Sequence, residues 1–146
     1  MNNETAEKVP DSKDTARGPV PLLEASGISR RFTDKDSTIE VLNDLSIRLE
    51  RGETMAVVGE SGVGKSTLLH ILGTLDPPDA GTVLYNGNNV FKMGDTRLAS
   101  FRNSTIGFVF QFHYLLSGFT SLENVMMPGL IAGMKKSGIR ESAEAI

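Results

Sequence analysis

Gly59-Glu60-Ser61-Gly62-Val63-Gly64-Lys65-Ser66 fits the spacing G-x-x-x-x-G-K-[ST], which is the spacing of a loop that holds phosphate. Each residue type has a physical reason. Glycines at 59, 62 and 64 permit backbone conformations closed to residues with a Cβ, so successive N–H groups can converge on phosphate oxygens. A helix starting near Gly64 would bring its positive end to the same anion. Lys65 is placed to reach the β- and γ-phosphates as a point charge, Ser66 carries a hydroxyl suited to Mg²⁺, and Thr67 is placed to cap the helix or touch the α-phosphate. A glycine turn followed by chance by Lys-Ser is the competing reading, and only the flanking elements argue against it. From the loop alone, a transport ATPase, a GTPase, a small-molecule kinase and a binding switch without turnover all remain open.

The elements around the loop are those it needs. Met55-Ala56-Val57-Val58 is short and continuously apolar, as strands buried on both faces are, and leads into the loop. After it, Leu68, Leu69, Ile71 and Leu72 recur at helical spacing until Gly73 and Pro77-Pro78 end the pattern. Upstream, Leu45, Ile47 and Leu49 alternate with Ser46, Arg48 and Glu50, a strand with one wet face, and Arg51-Gly52 turns the chain. Downstream, Thr82–Tyr85 reads as a strand closed by Asn86-Gly87, and Thr105–Phe110 as a mostly apolar strand. Thr120-Ser121-Leu122-Glu123 has the form of a capping box and predicts a helix to about Pro128; Ser137–Ile146 begins another helical pattern. Residues 1–21 are polar with few large apolar side chains and read as a disordered tail, leaving 22–146 as the folded region.

Composition narrows the partners. The 146 residues carry a formal net charge of -3, without the basic excess that binding a nucleic-acid backbone favours. There is no Cys, so neither disulfides nor thiolate metal sites are available. His70 and His113 have no second ligand at metal spacing. No apolar run approaches the ~20 residues that span a bilayer, so a membrane connection would run through a partner.

From Leu22 to about Met134 the chain resembles ATP-binding cassette (ABC) transporter ATPase subunits, through Val41-Leu42-Asn43-Asp44-Leu45-Ser46-Ile47, the Gly52-Glu53 turn and the phosphate loop. The segment Ile106–Leu116, continuing from Phe119 to Pro128, is similar to the Q-loop region of the lipoprotein-releasing (LolD-type) subgroup, departing from it at Ser117-Gly118. Macrolide-export and cell-division ATPases lie on the same branch. The resemblance implies an α/β fold, a P-loop NTPase cassette of mixed sheet with an antiparallel β subdomain, ending here within the helical subdomain. It implies ATP and Mg²⁺ as cofactors, with Gln111 completing the metal coordination beside Ser66, and an amide oxygen suits that hard cation. Phe32 falls where the family stacks an aromatic ring on adenine, although an aromatic there is also a common core residue.

Function and partners follow from the same resemblance. It implies a peripheral subunit on the cytoplasmic side of the inner membrane, dimerising with a second ATP-binding subunit and docked on integral permease subunits, to energise lipoprotein release. Met126 and Met127, with Phe112, Tyr114, Leu115 and Phe119, fall in the region that meets the permease. A recruitment module of a related membrane complex, of macrolide-export or cell-division type, is the alternative. No signature motif, strand ending in Asp-Glu or switch His is present; Leu116-Ser117-Gly118 begins like a signature, but Phe119 breaks it. No catalytic residue is therefore expected in this stretch, which should not hydrolyse ATP alone and should expose unpaired strand edges.

Overall fold

The computed structural model describes residues 20–35 and 37–146, so nearly all of the expected N-terminal tail lies outside the described residues. Four antiparallel strands form one sheet in the order β2-β1-β3-β4, built from β1 (Leu23–Asp34), β2 (Ser37–Leu49), β3 (Ala80–Tyr85) and β4 (Asn88–Asn89). In β1, Leu23 and Ala25 face inward at period two. The pattern then slips by one, so that Ile28 is the next inward residue, because the register shifts there against both neighbouring strands. Gly27 takes φ +64° at that irregularity, and Gly81, with φ +94°, lies against its backbone. The turn from β3 to β4 has positive φ at both Asn86 and Gly87, as a tight hairpin requires.

Helix α1 (Lys65–Leu72) lies on the sheet. Its Leu68 and Ile71 join Leu23, Ala25, Ile28, Leu42, Val83 and Val90 in one buried cluster. Burial of several such side chains, at roughly 1.5–3 kcal/mol each, fixes the helix and therefore the loop in front of it. Helix α2 (Asp95–Thr105) adds Leu98 and Phe101 to the edge of that core. The Phe101 ring meets Tyr85 edge-on at 5.1 Å, and the Tyr85 hydroxyl donates to Leu72 O at 2.7 Å. Burial pushes the Tyr85 pKa up, which keeps the hydroxyl a donor.

Helices α3 (Ser121–Ile131) and α4 (Lys136–Glu144) form a smaller unit around Met126 and Ile139. The capping box is complete: Glu123 N–H donates to Thr120 Oγ1 at 3.3 Å, and Thr120 N–H to Glu123 Oε2 at 2.8 Å. α3 runs past Pro128, beyond its expected end, since the proline removes one helical donor while Ala132 N–H still bonds Pro128 O at 3.0 Å. The Thr120 backbone N–H, followed by its hydroxyl, holds the Glu123 carboxyl below the usual range. A lowered folded pKa makes this contribution present at neutral pH and lost as pH falls through that value. We expect acidification to reduce the helical signal at 222 nm less in Glu123→Gln than in the parent. Thr120→Ala should cost about 1 kcal/mol at neutral pH, read by urea unfolding.

Two expected strands are corrected. Residues 53–60 carry no regular secondary structure and belong to no ladder, and Val58 is 86% exposed; Ile106–Phe110 likewise pairs with nothing, and Thr105 closes α2 instead. An apolar run signals what would be favourable to bury. A strand, however, needs a partner for its N–H and C=O groups, and among the described residues neither segment has one.

Candidate functional site

The glycines of the loop are where backbone geometry demands them. Gly59, Gly62 and Gly64 have φ of +155°, +81° and +102°. At Gly64 a Cβ would lie 2.7 Å from Val41 Cγ1 and 2.9 Å from Val41 O, so β2 backs directly onto the loop. Gly64 is also the N-cap of α1 and supplies no side-chain cap, while the first turn holds no acidic group. Helical bonding begins with Leu68 N–H on Gly64 O at 2.9 Å. The amides of the first turn are left for an external acceptor, and an anion is the natural one.

Lys65 is held from within the loop. Its Nζ donates to Gly59 O at 3.0 Å and to Glu60 O at 2.6 Å, which pins the ammonium across the loop it belongs to. Ser61, Gly62, Gly64, Lys65, Ser66 and Thr67 line a cavity of about 340 Å³ together with Val41 and Gln111. Gln111 enters from a different part of the chain, so the structure brings one distant expected residue to the loop. Gly59 and Glu60 take part through their carbonyls, and the Val63 side chain lies against Gly59.

Phe32 is not among the residues lining that cavity. It sits near the end of β1, 47% exposed, with the Arg30 guanidinium carbon 5.1 Å from its ring centroid. The sequence reading did not single out Val41 as a wall or Arg30 as a neighbour of Phe32. The second follows only once β1 is known to be a strand, since residues 30 and 32 then share a face.

The path to Gln111 is aromatic. Phe108 lies over the C-terminus of α1, so close to Gly73 that a Cβ there would be 1.9 Å from Phe108 Cζ. Phe108 stacks on Phe110 at 5.1 Å, and Phe110 meets Tyr114 edge-on at 5.1 Å. Beyond them Asn124 fastens the following loop to α3: its Oδ1 accepts Leu116 N–H at 2.8 Å, and its Nδ2 donates to Phe119 O at 3.2 Å and Thr120 O at 2.9 Å.

This donor set fits a magnesium nucleotide. Loop amides and an ammonium suit phosphate oxygens; the Ser66 hydroxyl and the Gln111 amide oxygen, in the same cavity, are hard ligands of the kind Mg²⁺ takes. None of the residues lining the cavity is a carboxylate. Among the described residues, no helix is long and apolar enough to cross a membrane.

A model of the ABC transporter family matches residues 42–146. The chain is 55% identical over 116 residues to the lipoprotein-releasing system ATP-binding protein LolD of Geobacter metallireducens, covering 80% of this chain and 52% of that protein. It is 50% identical over 125 residues to the LolD of Syntrophus aciditrophicus, covering 86% and 56%. The chain thus spans about half the length of these relatives. Its fold is similar to the ATP-binding cassette MJ0796, solved as a dimer in a post-hydrolysis state bound to ADP and Pi. The TM-score is 0.78 at 30% identity, covering 85% of this chain and 55% of that one.

Proposed function

Because the chain belongs to the ABC transporter family, we propose that it binds Mg-ATP at the loop Gly59–Ser66 and serves as the ATP-binding part of a lipoprotein-releasing transporter. The observation that carries the binding role is the single cavity joining Lys65, Ser66 and Thr67 to Gln111. Lys65 neutralises the β- and γ-phosphates, the first-turn amides of α1 hold their oxygens, and Thr67 faces the α-phosphate. Ser66 and Gln111 hold Mg²⁺, which when bound supplies further neutralisation of phosphate charge. Phe32 carries the adenine on its exposed face.

Turnover belongs to the whole protein. With no carboxylate in the cavity to polarise water, residues 1–146 by themselves bind without hydrolysing. The whole protein works as a dimer of ATP-binding subunits, peripheral to the cytoplasmic face of the inner membrane and docked on permease subunits, with no nucleic-acid partner. The LolD relatives support lipoproteins as cargo. Depleting the protein and fractionating membranes tests this: outer-membrane-directed lipoproteins should accumulate in the inner-membrane fraction. Unchanged sorting would instead favour the recruitment module of macrolide-export or cell-division type.

Stacking on Phe32 is worth about 0.5–1.5 kcal/mol beyond area burial. Phe32→Ala should therefore weaken Mg-ATP binding by about 2- to 10-fold in isothermal titration, and Phe32→Tyr should not. Equal losses would assign Phe32 to packing.

A further inference from the structure

We propose that Arg30, anchored by Asp79, is the positioning residue that presents the Phe32 ring to the nucleotide base; this rests on reading Phe32 as the adenine platform. Arg30 and Phe32 stand two apart on β1, and the guanidinium carbon lies 5.1 Å from the ring centroid, a cation–π distance. The planar guanidinium covers one face of the ring and leaves the other for a base. Phe32 is not part of the buried core cluster, and its cross-strand partner Ile39 is itself exposed. The ring thus lies outside the core cluster, and Arg30 bears on its face.

Arg30 is in turn fixed from the other side. Its Nη1 donates to Asp79 Oδ1 at 2.8 Å, while Asp79 Oδ2 accepts Arg31 N–H at 2.6 Å and Asp79 N–H donates to Ser29 O at 2.9 Å. Both carboxylate oxygens and the backbone of Asp79 thus grip β1 just before Phe32. The Arg31 N–H, with the Arg30 charge, holds the Asp79 carboxyl below the usual range, so the anchor is anionic at neutral pH. Arg30 Nε is buried without a protein acceptor. The guanidinium is committed to Asp79 through one nitrogen and to the aromatic face through its plane. A ring already held in one orientation loses less freedom when a base stacks on it, and that saving appears as affinity.

The test separates base from phosphate. Arg30→Met, which retains an apolar stem but neither charge nor fork, should weaken Mg-ATP binding to the whole protein by about 2- to 5-fold. Its affinity for Mg-tripolyphosphate, which has no base, should be unchanged. Added to Phe32→Ala, the same change should cost nothing further. Asp79→Asn, which keeps an oxygen for Arg31 N–H but weakens the hold on the guanidinium, should show the same selectivity for base with a smaller loss. Equal losses of ATP and tripolyphosphate would mean that Arg30 acts as a charge or a fold determinant, and would overturn the proposal. So would full ATP affinity in Arg30→Met when Phe32→Ala is impaired. Full ATP affinity in Phe32→Ala would overturn the stacking reading itself.

Discussion

Lys65→Ala is expected to lower Mg-ATP affinity of the whole protein by about 100-fold, because each hydrogen bond to a charged group is worth about 1.5–3 kcal/mol and the proposed role of the lysine spans two phosphates. The net figure is smaller than two full bonds. The ammonium bonds Gly59 O and Glu60 O within the loop, so binding exchanges acceptors rather than creating them from nothing. The fold should survive. Gly59 and Glu60 are exposed, and their carbonyls can turn to water once the lysine is gone. Isothermal titration beside a thermal melt separates these effects; an unaltered Kd with an intact melt would remove Lys65 from the phosphate site.

Gly81→Ala should act on the fold instead. A Cβ there would lie 2.5 Å from Gly27 O and 2.6 Å from both Gly27 C and Ser26 O, all backbone atoms, at a φ of +94° that L side chains rarely adopt. Overpacking and backbone strain each cost about 1–3 kcal/mol, and neither can be relieved by a rotamer change, so a loss of about 3 kcal/mol is expected. That corresponds to a Tm lower by about 10 °C for a domain of this size class. The irregularity in β1 is the only part of the sheet that should feel it directly. A melt within a degree or two of the parent would show that β1 and β3 can separate there at no cost.

The two sites differ in how far they can be read from sequence. The phosphate loop is local: eight consecutive residues contain its turn, its cation and the start of its helix. The α3 capping box is equally local, and its expected hydrogen bonds are all present. β1 is hidden because the slip at Gly27 breaks the alternation that marks a strand. α2 is hidden because Leu98 and Phe101 alone face the core, too few to set a period. The runs Met55–Val58 and Ile106–Phe110 show the opposite failure, an apolar pattern whose pairing partner is absent from the described residues. Gln111 is identifiable only by family resemblance, since one glutamine after an apolar run carries no local signal. The contact between Arg30 and Asp79 joins residues 49 apart and leaves no local trace.

Gly73 sets a mechanical property of the site. Helix α1 has eight residues, about 12 Å of rigid rod, with the phosphate loop at one end and the Phe108 ring bearing on its last turn at the other. It is a strut, and Gly73 is the thin shim on which the Phe108 ring seats. Tyr114, Phe110 and Phe108 make a continuous run of ring contacts that ends on that last turn. A side chain at position 73 would thicken the joint and should push Phe108 off it, carrying the stacked Phe110 along without touching the loop.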